Sequence, residues 1–194
     1  MHMLKTEHTK VLMAGMRDHA ERRSQVHVKS NEILSTSKRA IFAVHRGDEV
    51  LAQQELQKAR ASIQAVKKLI QKETRLAYEG AWKAAQEEFA EASLVIQYVT
   101  RGQVGRVPEI ANDPDIFLGA LSDLTGELTR RAVLLASEGK FDEVQQIFAD
   151  VREAVDFLLQ MDLTGQLRTK VDQAKQNLRK LEEIRYDISM RGRM

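Results

Sequence analysis

The sequence contains no cysteine among its 194 residues, and this absence excludes several kinds of chemistry. Without thiols the chain forms no disulfide, no cysteine-based zinc site and no thiolate nucleophile. It also lacks an apolar signal-peptide core near its N-terminus and any apolar run of the roughly 20 residues that a membrane span needs. We therefore expect a cytoplasmic protein rather than a secreted disulfide scaffold or a membrane protein.

Proline, aromatic residues and net charge are also scarce. The chain has two prolines, Pro108 and Pro114, and 5% aromatic residues. The helix-favouring residues Ala, Leu, Glu, Lys, Arg and Gln dominate elsewhere, which predicts an all-α protein. The formal net charge of +2 does not by itself indicate a nucleic-acid-binding protein, so any basic patch must be local.

Hydrophobic periodicity and helix stop signals predict six helices joined mostly by short turns. A stop at Gly47 is followed by Asp48 as an N-cap, and Asp113-Pro114 resembles an N-cap before a first-turn proline. The predicted helices cover about 6–46, 48–70, 73–100 (starting between 73 and 76), 114–137, 141–160 and 163–190. We expect a single domain over residues 1–194, folded as one bundle of about six long antiparallel helices.

Two acidic pairs carry the main chemical signal. Glu88 and Glu91 lie in QEEFAEA, and Asp123 and Glu127 lie in DLTGEL. The members of each pair are three or four residues apart, so both carboxylates project from one side of a helix. Four carboxylates on two facing helices can hold Mg²⁺ or Mn²⁺ and activate water against a phosphodiester. From the residues alone, surface or interhelical ion pairing remains the alternative.

The surroundings of the acidic pairs add information. Gly126 inside the fourth helix costs on the order of 1 kcal/mol relative to Ala, which indicates close helix contact or ligand approach. A di-iron bundle would need Glu-x-x-His motifs. None of the five histidines, which all lie in the first 45 residues, follows a glutamate at that spacing. Zinc or iron chemistry is therefore disfavoured.

Basic residues cluster at two places along the chain. Lys38 and Arg39 lie in SKRAIFAVHR, and Arg130 and Arg131 follow the second acidic pair. These four are candidate contacts for nucleic-acid phosphates, and Arg130 could instead orient Glu127, three residues before it. A solvated or salt-bridged side chain is an equally open alternative for each.

Histidine and aromatic residues give a weaker signal. His45 stands at a predicted helix end and is interpreted as a cap or surface residue without a catalytic role. Phe42, Trp82 and Phe89 could stack on bases, as aromatic residues do in single-strand binders. We expect all three in the core instead.

Four segments together resemble the translin superfamily: SNEILSTSKRAIFAVHR, QEEFAEA, FLGALSDLTGELTRRAV and EEIRYDISMRG. The resemblance covers most of the chain and is closer to the catalytic type, translin-associated factor X, than to translin itself. It implies an all-α fold, a hollow homo-oligomer expected to be an octamer, and binding of single-stranded RNA or DNA. The chain resembles a minimal prokaryotic or archaeal form, because it lacks the basic N-terminal extension and the long insertion of eukaryotic catalytic subunits.

The resemblance also implies an activity. Catalytic members carry a glutamate pair on one helix and an Asp and Glu on another, and Glu88, Glu91, Asp123 and Glu127 match those positions. The implied function is a Mg²⁺-dependent endoribonuclease acting on single-stranded RNA, of the class that processes small RNAs and transfer-RNA fragments. In it, the four carboxylates serve as metal ligands or as a base that orients the attacking water. The alternatives are a non-catalytic single-stranded RNA or DNA binder and, third, a purely structural helical oligomer.

Overall fold

The computed structural model describes residues 5–110 and 113–191, and almost all of them are helical. Six α-helices follow one another: α1 (Thr6–His45), α2 (Glu49–Lys72), α3 (Gly80–Arg101), α4 (Pro114–Ser137), α5 (Phe141–Leu158) and α6 (Gly165–Arg191). Short 3₁₀ turns cover Thr74–Tyr78 and Pro108–Ile110. The prediction of an all-α bundle of about six helices is confirmed. None of the described helices is long and apolar enough to cross a membrane.

Two helix starts follow local sequence signals. Asp48 Oδ1 accepts the N–H of Leu51 at 2.9 Å, and Asp113 Oδ1 accepts the N–H of Asp115 at 3.0 Å. Both predicted N-caps are therefore confirmed, since each side chain satisfies a backbone donor that the helix leaves free. Gly47, between α1 and α2, has a φ of +73°, which glycine adopts without strain.

The third helix begins later than predicted. The sequence favours helix from about residue 73, but the backbone at Glu73 is extended (φ −152°, ψ 94°) and α3 starts at Gly80. Glu73 pairs with His19, and Glu79 pairs with Arg23, both on α1. These contacts hold the chain in a 3₁₀ turn, so tertiary ion pairs override local helix propensity here.

Helix direction decides which side chains face one another. Helices joined by short turns fold back on each other, as α1 and α2 do. By contrast, α3 and α4 run parallel: Lys83 Nζ lies 3.8 Å from Asp115 Oδ2, and one turn further along Glu87 lies against Gly119. The connection between them is not a tight turn: it contains Pro108, and Pro114 is the first residue of α4. The expected antiparallel order therefore holds at the short turns but not between α3 and α4.

The core lies between α1, α2 and α3 on one side and α4, α5 and α6 on the other, with α3 packed against α4. Burial of apolar side chains is the main force that holds these layers together. Trp82 and Phe89 are buried as predicted, but Phe42 is 50% exposed, so the prediction that it lies in the core is wrong. The central position of α3 and α4 places both acidic pairs in the middle of the bundle.

Candidate metal centre between two central helices

Four carboxylates share the seam between α3 and α4. Glu88 and Glu91 come from α3, and Asp123 and Glu127 come from α4. Burial raises the pKa of Glu91 from its usual 4.5 to about 8, and the negative charges of the other three carboxylates act in the same direction. Burial also raises the pKa of Glu88, although the charge of Lys38 opposes the rise. The two helices therefore concentrate negative charge where little water can screen it.

Three of the four carboxylates each lie near a side-chain cation: Lys38 for Glu88 (Nζ to Oε2, 3.8 Å), Lys170 of α6 for Asp123, and Arg130 for Glu127 (Nη1 to Oε2, 3.9 Å). Glu127 also contacts His45 of α1. Across residues 5–110 and 113–191, Glu91 forms no ion pair of its own. With a pKa of about 8, Glu91 is instead mostly neutralised by a proton at neutral pH. Each carboxylate is thus compensated separately.

His45 is a site residue that the sequence did not reveal. Its side chain is 5% exposed and its Nε2 lies against Glu127 Oε2. Its Nδ1 is buried and has no hydrogen-bond partner in the described part of the chain. The interpretation of His45 as a cap or surface residue is wrong, because the end of α1 abuts α4. No local pattern signals this contact, since 82 residues separate His45 from Glu127.

Lys170 and Glu87 extend the site toward α6. Lys170 Nζ lies 2.7 Å from Glu87 Oε1 and also contacts Asp123 Oδ2, and its side chain is only 16% exposed. Burial by itself would lower the pKa of Lys170, but hydrogen bonds to Asp123 and Glu87 outweigh burial and raise it. The sequence analysis singled out neither residue. Glu87 does stand four residues before Glu91, a helical spacing that could have included it, whereas nothing distinguishes Lys170 from other lysines of α6.

Two glycines of α4 allow the neighbouring helices to approach. A Cβ at Gly119 would lie 3.0 Å from Glu87 Cδ and closer still to its Oε1, so a larger residue there would displace this carboxylate. A Cβ at Gly126 would lie 3.4 Å from Asn177 Nδ2 of α6. The expectation that Gly126 marks close helix contact is consistent with this geometry. Both glycines thus face the elements that complete the site.

The predicted basic contacts divide into two groups. Lys38 and Arg130 lie at the acidic face, and Arg130 Nη1 is 3.9 Å from Glu127 Oε2. Arg39 points to α2 instead, where its Nε donates to Glu55 Oε2 at 2.6 Å. The charge of Arg131 acts instead on Tyr98 of α3 and on Glu138 at the end of α4. The structure therefore brings two of the four basic residues to the candidate site.

An exposed aromatic ring stands beside the acidic face. The guanidinium carbon of Arg130 lies 5.2 Å from the centre of the Phe42 ring, within range of a cation–π contact. Phe42 is one helical turn beyond Lys38 on α1, so the three side chains border the carboxylates together. We call Lys38, Phe42 and Arg130 the basic rim.

The chemistry of the four carboxylates fits a hard divalent cation. Carboxylate oxygens are the ligands that Mg²⁺ and Mn²⁺ prefer, and two helices of a bundle core commonly supply them. As the side chains lie, no three His, Asp or Glu residues of the described chain are close enough together to hold a metal ion. Contacts with three side chains account for this spread: Lys38 and His45 draw Glu88 and Glu127 toward α1, whereas Lys170 draws Asp123 toward α6.

The fold and site together define an all-α bundle protein with a cluster of acidic side chains between its central helices. The sequence profile of the Translin family matches residues 21–192. The chain belongs to the Translin family, and the resemblance seen in the sequence is confirmed. No curated protein is similar enough to this chain to count as a match.

Solved structures share the fold over nearly the full length. A crystal structure of apo-NeC3PO matches with a TM-score of 0.86 and 19% identity, over 96% of this chain and 98% of the other. A crystal structure of AfC3PO matches with a TM-score of 0.85 and 20% identity, over 94% and 97%. A structure of AfC3PO in complex with duplex RNA gives a TM-score of 0.83 at 20% identity, over 94% and 97%. At this identity the likeness establishes the fold alone.

Proposed function

We propose that this protein is a Mg²⁺-dependent endoribonuclease that cleaves single-stranded RNA, with Mn²⁺ as an alternative ion. The carrying observation is the group of four carboxylates at the α3–α4 seam, where burial and, after it, mutual repulsion raise the pKa of Glu91 to about 8. Such a cluster does not stabilise the fold, whereas a divalent cation would relieve the repulsion. The similarity to AfC3PO, which has been solved with duplex RNA, supports a nucleic acid as the ligand.

The proposed reaction is hydrolysis of a phosphodiester. An oxygen of water forms a bond to phosphorus while the P–O3′ bond breaks, which leaves a 5′-phosphate and a 3′-hydroxyl. A divalent cation supplies, when bound, a water of lowered pKa and charge neutralisation for the phosphate. Glu88, Glu91, Asp123 and Glu127 are the residues that would hold it or accept the proton of the water. His45 acts as a positioning residue, because its contact fixes the Glu127 carboxylate.

The basic rim supplies the means to hold the strand beside these carboxylates. Lys38 and Arg130 present cations that suit phosphate oxygens. Phe42 presents an exposed ring on which a base can stack without sequence preference. A single strand suits this arrangement better than a duplex, because its bases are free to leave the stack. Single-stranded DNA is a second proposed ligand.

Assembly into a homo-oligomer, with eight copies as the expected number, is part of the proposal. The first turns of α1 carry several apolar side chains that the described chain leaves exposed: Val11, Leu12, Met13 and Met16. Contiguous apolar surface of this kind commonly marks an interface. Light scattering that gives the monomer mass of 22.1 kDa would contradict the assembly.

The test is cleavage of an end-labelled single-stranded RNA with Mg²⁺ and with EDTA, by the wild type and by an Asp123→Asn, Glu127→Gln double variant. We expect EDTA to abolish cleavage and the variant to lose at least about 100-fold in rate. The matched control is Asp142→Asn, Glu143→Gln, which makes the same change in charge at exposed positions of α5. Cleavage by the site variant at the wild-type rate, or products with a 2′,3′-cyclic phosphate, would refute the mechanism.

The second candidate is a binding protein without nuclease activity, and the basic rim is the observation that favours it. It predicts strand binding that persists in EDTA and weakens as the salt concentration rises, because phosphate contacts release counterions. Binding of this kind without cleavage in Mg²⁺ or Mn²⁺ would select this function over the nuclease.

A further inference from the structure

We propose that Lys170 is a tethered counter-ion that competes with the divalent cation for Asp123, and that Glu87 retains the displaced ammonium group. This inference rests on the proposed metal site and adds two positioning residues to it. The geometry that points to it is a three-membered chain, in which the Lys170 ammonium bridges Glu87 on α3 and Asp123 on α4.

Lys170 differs from the other cations around the seam. The side chains of Lys38 and Arg130 are 60% and 48% exposed, and each lies 3.8 Å or more from its carboxylate. Solvent screening makes such pairs weak. The side chain of Lys170 is only 16% exposed and makes direct contacts with two carboxylates. Its charge therefore acts in a poorly solvated place, where an ammonium group and a divalent cation repel each other strongly.

Glu87 offers Lys170 a second ion-pair partner. Its Oε1 lies 2.7 Å from Lys170 Nζ, and its carboxylate occupies the space that the missing side chain of Gly119 leaves on α4. Glu87 is not one of the four seam carboxylates, so it remains available when they coordinate an ion. Lys170 can give up Asp123 without becoming an unpaired buried charge, which would be costly.

The arrangement has a direct consequence for the metal-free protein. Lys170 holds the Asp123 carboxylate in place while no cation is bound, so the seam does not have to reorganise completely when one arrives. The same contact lowers the apparent affinity for the ion, because the ion must displace the ammonium group first. Removing Lys170 is therefore expected to tighten metal binding, which is the opposite of what loss of a purely structural residue would do.

The test measures binding of Mn²⁺ alone to the full-length chain by electron paramagnetic resonance of the free ion. We expect Lys170→Gln to bind Mn²⁺ about tenfold more tightly than the wild type. Lys175→Gln, on the same helix but paired with Asp172, is the matched control and is expected to bind as the wild type does. Unchanged or weaker binding by Lys170→Gln, in protein that melts and assembles normally, would overturn the inference.

A second variant tests the role of Glu87, and its effect in the wild-type background can be measured even if Lys170→Gln folds poorly. Glu87→Gln is expected to weaken Mn²⁺ binding about tenfold when Lys170 is present, because the ammonium group then has only Asp123. The same change in the Lys170→Gln background is expected to weaken binding less than threefold, since little more than long-range charge is lost. Equal effects in the two backgrounds would overturn the role of Glu87. Absence of Mn²⁺ binding in both the wild type and Lys170→Gln would overturn the metal site itself.

Discussion

Buried carboxylates on the α2 side of the molecule and those at the α3–α4 seam experience opposite surroundings. On α2, the hydrogen bond from Lys58, and after it that from Arg39, lower the pKa of Glu55 although burial opposes them. At the seam, burial raises the pKa of Glu88 and of Glu91. The α2 side stabilises the ionised form of its carboxylate, whereas the seam destabilises it.

Burial is the main cause of the raised pKa at the seam, and the distribution of cations adds to the difference between the two regions. Glu55 is 4% exposed, yet two basic side chains reach its two oxygens. Glu91 faces three other carboxylates, and each of these has its own cation while Glu91 has none within the described chain. Repulsion of this kind does not stabilise the fold, so it indicates a functional role for the carboxylates. The usual role is binding of a ligand with the opposite charge.

The strongest way to break this comparison is to neutralise Glu91. A carboxyl whose pKa is raised by folding binds its proton more tightly in the native state than in the unfolded chain. Stability therefore falls as the pH rises from about 4.5 to about 8. Glu91→Gln stays neutral and avoids this fall. We expect it to raise the free energy of unfolding of the metal-free protein by up to about 5 kcal/mol at pH 8.5, and hardly at all at pH 4.5.

Urea unfolding in EDTA at several pH values measures this effect. The difference between Glu91→Gln and the wild type should grow steadily between pH 5 and 8. A difference that does not depend on pH would show that Glu91 is ionised throughout, and the contrast between the two regions would disappear.

Neutralising the buried glutamate of α2 should have the opposite effect on the free energy of unfolding. Glu55→Gln removes the charge that Arg39 and Lys58 contact. We expect the free energy of unfolding to fall by about 1.5 kcal/mol at pH 7, the range for hydrogen bonds to charged groups. The two basic side chains are more than half exposed, so water replaces part of the lost interaction. The same urea unfolding experiment measures this change. A stabilised Glu55→Gln variant would show that the α2 side does not favour the ionised form of its carboxylate.

Local signals in the sequence account for most of the fold. The N-caps at Asp48 and Asp113 and the stop at Gly47 predict helix ends because each depends on residues close in the chain. The start of α3 at Gly80 could not be predicted, since Glu73 and Glu79 are held by side chains of α1 more than 50 residues earlier. The parallel run of α3 and α4 likewise depends on contacts made by a long connection.

The candidate site shows the same division. Helical spacing placed Glu88 with Glu91 and Asp123 with Glu127, because residues three or four apart share a helix face. The partners of those carboxylates come from other helices: Lys170 lies 47 residues from Asp123, and His45 lies 82 residues from Glu127. Helical spacing gives no information about contacts between residues so far apart in the chain. Neighbours in sequence can also separate in the fold: Arg39 follows Lys38 directly, but Arg39 contacts α2 whereas Lys38 contacts α3.

The smallest expected effect is on strand binding by the basic rim. The rim borders the seam, and the prediction therefore concerns the seam alone and not the α2 carboxylate. Phe42→Ala removes a ring that is 50% exposed, so stability should change little. Under the proposed function the ring stacks on a base, and its loss should weaken binding of a single-stranded RNA about fivefold, or about 1 kcal/mol. Fluorescence anisotropy in EDTA measures this binding without cleavage.

The matched control for Phe42→Ala is Phe141→Ala, because Phe141 is a similarly exposed ring (40%) at the start of α5 and is not one of the rim residues. An equal loss of affinity in both variants would mean that general hydrophobic surface, and not the rim, holds the strand. A loss confined to Phe42→Ala, together with a Glu91→Gln variant that is stabilised at high pH, would place strand binding beside the carboxylates that the fold leaves uncompensated. The seam would then differ from the α2 side in function as well as in charge.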